Sequence, residues 1–195
     1  MGKRDARYKL NGEIEMDDAF FEIVDIPLKD ELGNIVRSDA KRGRGSYKQM
    51  KVLVMVESTP TVQSNPHKKK RAMGYTKMVV MDELNNIGIN YEVSKSVSNE
   101  AHIISDGWRG YSKLREVVSS HTPMVVPAKD AMKKLPWVHT VISNAKRQML
   151  GVHHSIGKSY LQNYLNEFCY KLNRRNFNSD LFDRMIVAGV NDTWY

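Results

Sequence analysis

The stretch "KKLPWVHTVISNAKRQMLG", residues 133–151, sets His139 and Lys146 seven residues apart. At 3.6 residues per turn that spacing returns both side chains to one face of a helix, with Ser143 between them and Asn144 pointing well away. Two carboxylate positions precede the stretch in strand-like settings: Asp17 or Asp18 within "EIEMDDAFFEIV", and Asp106 at the end of "AHIISD". Two carboxylates and a third polar ligand can hold a divalent cation. Such an ion activates an attacking oxygen and stabilises the leaving oxygen of a phosphodiester. A lysine one helical face away is then placed to steady a DNA phosphate. A lone helical histidine is more commonly a surface or core residue; the two strand-borne aspartates before it favour the chemical reading.

The elements that must position these groups follow from hydrophobic patterning. Residues 13–24 alternate and then run apolar, which predicts a strand beginning near Glu13. "KVLVMVES", 51–58, is almost continuously apolar, as expected of a strand in the middle of a sheet. "AMGYTKMVVMDEL", 72–84, predicts a third strand, and the intervening loops favour an antiparallel meander. Residues 85–100 read as a polar loop or a short helix, 101–111 as a buried strand ending in Asp106, and 122–127 as a fifth strand. Helices are predicted at roughly 128–134, 136–150 and 157–174, with Pro136 in the first turn of the second and Gly151 at its stop. The stripe Tyr160, Leu161, Tyr164, Leu165, Phe168 and Leu172 on the last of these is a core or interface face, with Cys169 beside it. Strands first and helices later make an α/β domain with a mixed sheet of about five strands, in which sites form at the carboxyl ends of strands.

A single cysteine excludes an internal disulfide framework and a cysteine-based zinc ribbon within these residues. No apolar run approaches the ~20 residues of a membrane helix, and the expected compartment is the cytoplasm. The formal charge of +8 points to a polyanionic partner through phosphate contacts and counterion release. The basic residues cluster: Arg37, Lys41, Arg42, Arg44, Lys48 and Lys51 in one run, Lys68, Lys69, Lys70 and Arg71 in another, and Arg174 with Arg175 after the last stripe. Two runs flanking one strand pair are read as phosphate contacts, together with Lys146 and Arg147. Trp108 is either a packing residue at the sheet edge or a platform for a splayed base.

The blocks "GEIEMDDAFF", "KRGRGSYKQMKVLVMVES", "HIISDGWRGY", "LPWVHTVISNAKRQMLGVHH" and "YLQNYLNEFCYKLNRR" occur in order from about residue 5 to 175. Together they resemble the catalytic domain of bacterial insertion-sequence transposases of the ISXO-type DDE branch. The resemblance implies a ribonuclease-H-like fold and Mg²⁺- or Mn²⁺-dependent DNA cleavage, with joining of the freed 3′-OH to target DNA. It places the first catalytic aspartate at Asp17, with Asp18 as the alternative, and the second at Asp106. The third position of the family is usually Glu, with Asn or His in some members and a basic residue seven later. His139 and Lys146 match that pattern. Glu167 with Arg174 imitates the same spacing, and Asn144 is a further alternative for the third position. Imidazole suits Mn²⁺ or Zn²⁺ better than Mg²⁺. The resemblance also implies a homodimer on DNA, since two element ends must be brought together. A bacterial cell and association with its nucleoid are implied by the resemblance alone. In the family a zinc-ribbon or helix-turn-helix segment precedes the catalytic domain; here all 195 residues read as one catalytic domain without it. An inactive, DNA-binding descendant and a structure-specific nuclease of the same fold are the alternative readings.

Overall fold

The computed structural model describes residues 1–23, 49–61, 70–125, 134–153, 156–177 and 180–191. Its centre is a five-stranded sheet of β1 (Glu13–Glu22), β2 (Gln49–Pro60), β3 (Arg71–Met81), β4 (His102–Asp106) and β5 (Ser120–Met124), in the spatial order β3-β2-β1-β4-β5. The first three strands form the expected antiparallel meander, while β4 and β5 run parallel to β1. This mixed sheet, flanked by helices, is a ribonuclease-H-like α/β fold.

The helices are α1 (Gly2–Ala6), α2 (Asn86–Ser96), α3 (Pro136–Gln148), α4 (Leu161–Asn173) and α5 (Asp180–Asn191). The ambiguous segment 85–100 resolves into α2, whose start is capped by Asn85 accepting a hydrogen bond from the Gly88 amide at 2.8 Å. Two short 3₁₀ turns, Arg109–Tyr111 and Leu114–Glu116, connect β4 to β5, so the strand expected to reach 111 ends at Asp106. The fifth strand lies at 120–124 instead of 122–127. Gly151 does not stop α3: the chain widens into a π turn over Met149–His153 that includes it. The helix expected at 128–134 falls almost wholly outside the described residues.

Two cores form, one on each face of the sheet. Alternation along a strand sends successive side chains to opposite faces. Ile14 and Met16 of β1, Leu53 and Met55 of β2 and Ile103 of β4 therefore pack with Ile89 and Val93 of α2. Ala19 and Phe21 of β1, Val52, Val54 and Val56 of β2 and Ile104 of β4 pack with Val138, Val141 and Ala145 of α3 and with Leu161, Leu165 and Phe168 of α4. Burial of both faces of β2 explains its unbroken apolar run. The α4 stripe is core as expected, except that Tyr160 is exposed. Cys169 is buried beside it, and burial pushes its thiol up to about 12, so it is protonated and unreactive near neutrality.

Candidate active site

Glu13, Glu15 and Asp17 occupy the same face of β1 as Ala19 and Phe21, the face covered by α3 and α4. Asp18 points to the opposite face, where the hydroxyl of the buried Tyr111 donates to its Oδ1 at 3.4 Å. Met16 of β1 and Ser105 of β4 are the last paired residues of two adjacent parallel strands. Asp17 and Asp106 each follow that pair by one residue, so their side chains leave the sheet on the same face. This is the face of Ile104 and α3.

The histidine meets them there. His139 Nδ1 lies 3.5 Å from Asp17 Oδ2, while its Nε2 is buried without a hydrogen-bond partner. Asp17 Oδ1 accepts from the Asp18 amide at 2.8 Å, and Asp106 Oδ1 accepts from the Trp108 amide at 3.1 Å. Burial lowers the proton affinity of His139 below the ordinary histidine value, partly offset by the Glu15 and Asp106 carboxylates. The ring is therefore neutral near pH 7 and keeps a lone pair for a ligand.

The donor types suit a divalent cation: two carboxylates on neighbouring strands and an imidazole with an orphaned buried nitrogen. Among the described residues, no three His, Cys, Asp or Glu side chains are yet gathered closely enough to hold an ion. The Asp17–His139 pair is formed, and Asp106 stands with one oxygen turned to the backbone.

The remaining predicted residues separate into three groups. Lys146 and Arg147 are exposed on α3, and Lys146 Nζ stands 5.8 Å from the centre of the Phe21 ring near the end of β1. Lys70 is exposed immediately before β3. Arg71, Arg174 and Arg175 are engaged internally instead. Arg71 pairs with Glu13 and donates to Ser58 Oγ at 2.6 Å. Arg174 pairs with Asp5 at 2.7 Å and lies 3.5 Å from the centre of the Tyr170 ring. Arg175 donates to the carbonyls of Met73 and Leu172. Arg42, Arg44, Lys48 and Lys69 lie outside the described residues.

Glu167, the rival third acid, sits on α4 in an ion pair with Lys171, and α4 packs against β3, two strands from β1. Asn144 is exposed on α3. Trp108 packs edge-on against Tyr111, with ring centres 5.2 Å apart, and covers Gly110 so closely that a Cβ there would strike the indole. That is the packing role of the two considered. His153 packs against Tyr164 with the ring centres 4.1 Å apart and the ring planes tilted by 45°.

A second histidine, this one buried, lies behind Asp106. His121 Nε2 is 2.8 Å from Ser105 Oγ, and that hydroxyl also donates to the Asp106 carbonyl at 2.8 Å. Burial, then Arg115 and His102, lower the proton affinity of His121 below 6.5. His121 and His139 therefore bind fewer protons folded than unfolded as pH drops through 6.5. Stability from both is complete above that value and is lost as pH falls from there toward the folded-state values. The melting temperature should drop between pH 7 and 5.5, and His121→Gln should flatten the slope. An unchanged slope in the variant would remove His121 as a cause.

The match to known families is in keeping with this geometry. Residues 9–173 match the ISXO2-like transposase domain. No match is found among curated proteins or solved structures. The matched span begins before β1 and ends at the last residue of α4, so it takes in the whole sheet together with Asp17, Asp106 and His139, and the chain belongs to the ISXO2-like transposase domain family.

Proposed function

We propose that the domain cleaves DNA at element ends and joins the freed 3′-OH to target DNA, with Asp17, Asp106 and His139 holding Mg²⁺ or Mn²⁺. The observation that carries this reading is the meeting of Asp17 with His139 beside the equivalent position of the neighbouring strand, Asp106. A bound divalent ion would supply Lewis acidity at phosphorus and acidify the attacking oxygen. The two aspartates contribute the negative charge that holds a cation, and the neutral imidazole contributes a lone pair without further charge. Lys146, exposed on α3 beyond His139, meets a phosphate of the bound strand. Lys70 and Arg147, with Arg42, Arg44, Lys48 and Lys69 of the two basic runs, track the backbone. Arg71, Arg174 and Arg175 serve chiefly to hold the fold.

In the cleavage step, water attacks phosphorus and the bond to the 3′ oxygen breaks, leaving a 3′-OH on the element. In the joining step, that hydroxyl attacks a target phosphorus and releases a target 3′-OH. Neither step needs a covalent bond to protein. Two ends must be handled together, so the working form is a homodimer on DNA, acting in the bacterial cytoplasm. Among the described residues no helix is long and apolar enough to cross a membrane.

The test is a reaction of the purified chain with supercoiled plasmid and a labelled oligonucleotide carrying a free 3′-OH, in Mn²⁺. Nicking together with covalent joining of the label is the expected result. Nicking alone would favour a structure-specific nuclease. Retardation of DNA with neither product would favour an inactive DNA-binding descendant, the alternative consistent with the open spacing of the three ligands.

A further inference from the structure

The helix that carries His139 begins without a cap of its own. Leu135 occupies the capping position and offers no side-chain hydrogen bond, and Pro136 has no N–H to satisfy. The next two amides, Trp137 and Val138, both donate to one atom of another element, Glu15 Oε2 of β1, at 2.7 and 2.9 Å. The second oxygen, Oε1, accepts from the Ser58 hydroxyl at 2.6 Å and lies 3.9 Å from Arg71 Nε. Glu15 is 1% exposed. A buried carboxylate is tolerated only when its lone pairs are met, and here backbone amides, a hydroxyl and a guanidinium meet them. Its charge also lies at the positive end of the α3 dipole.

The contacts along β1 and α3 run in the same order. Glu15 meets residues 137 and 138, Asp17 meets His139, and Phe21 meets Lys146. From Asp17 to Phe21 is roughly 13 Å of strand, and from His139 to Lys146 roughly 10 Å of helix. The helix therefore lies along the strand, and a shift at its first turn moves the groups opposite Asp17. We propose that Glu15 is the positioning residue of this site: by accepting from the first two N–H groups of α3, it sets the height and rotation at which His139 faces Asp17. Its consequence for catalysis rests on the reading of Asp17 and His139 as ligands of the reacting centre.

Glu15→Gln keeps the length and one acceptor oxygen but loses the charge. Glu15→Asp keeps the charge but draws the carboxylate back by about one bond length. In both variants, amide exchange at Trp137 and Val138 should accelerate by about tenfold or more relative to the rest of α3. The ring ¹⁵N resonances of His139 should move from their parent positions. In the DNA reaction, kcat should fall by about tenfold or more with KM for DNA within about twofold, since a displacement on the order of 1 Å is enough to cost that much. A variant that melts earlier yet keeps the parent exchange at residues 137 and 138 and the parent His139 resonances would overturn the proposal, leaving Glu15 as packing alone. Should Glu15→Gln fail to fold, Glu15→Asp decides by the same two spectroscopic readouts. If the parent neither cleaves nor joins DNA, the functional reading fails, while exchange and resonance data still decide whether Glu15 places the helix.

Discussion

Asp106→Asn, and equally Asp17→Asn, is expected to reduce DNA cleavage and joining by about 10³-fold or more, on the order of 4 kcal/mol of transition-state stabilisation. The exchange removes one negative charge from the proposed ligand set and changes shape hardly at all. Asp106 Oδ1 accepts from the Trp108 amide and Asp17 Oδ1 from the Asp18 amide, and an asparagine oxygen can accept both bonds. Both variants should therefore fold and bind DNA near the parent level, which circular dichroism and a gel-shift titration check. Calorimetric Mn²⁺ binding should be lost or severely weakened in each. Asp18→Asn is the control: its side chain faces Tyr111 on the other side of the sheet, and its effect on joining should be far smaller. An Asp106→Asn protein that joins DNA at the parent rate would end the proposed mechanism.

Which parts of this site were legible depended on whether the signal was local. The unbroken apolar run of β2 and the stripe of α4 report burial on both faces and on one face, and both were read correctly. Alternation in β1 permits only one of Asp17 and Asp18 to face a given side, but cannot say which side α3 will cover; the family resemblance favoured Asp17, which does share the α3 face. The charge runs do not reveal which basic residues find a partner far along the chain. Arg174 finds Asp5, 169 residues away, and Arg71 finds Glu13, and neither pairing has a local sequence signature. Helix α5 was not anticipated, although Phe182, Met185 and Ile186 recur at helical spacing, because those side chains are exposed and belong to no core. The role of Glu15 has no single local signature, since a glutamate in an alternating strand ordinarily faces solvent. Two clues pointed to it: odd positions 13, 15 and 17 share a face with apolar 19 and 21, and "KLPW" opens a helix with no Ser, Thr, Asp or Asn to cap it.

For the third position of the proposed metal site, spacing alone leaves two candidates; in the structure His139 meets Asp17, while Glu167 pairs with Lys171. His139→Ala is expected to lower Mn²⁺-supported joining by about 10- to 100-fold, the range expected when one contributor to a metal site is lost. Glu167→Gln should stay within about twofold, since its carboxylate is occupied by Lys171 on a helix packed against β3. The loss in His139→Ala is smaller than that of an aspartate because no charge leaves the site: burial holds the imidazole neutral near pH 7. His139→Glu supplies the distinguishing arm. It replaces a nitrogen donor by an oxygen donor and adds a negative charge, so activity should shift from Mn²⁺ toward Mg²⁺ if residue 139 touches the ion. If residue 139 only packs against Asp17, His139→Glu would instead set a second carboxylate against Asp17, and activity should fall with both ions alike. Parent-level activity in His139→Ala with loss in Glu167→Gln would move the third position to α4, and would require α4 to leave its packing on β3 when DNA binds.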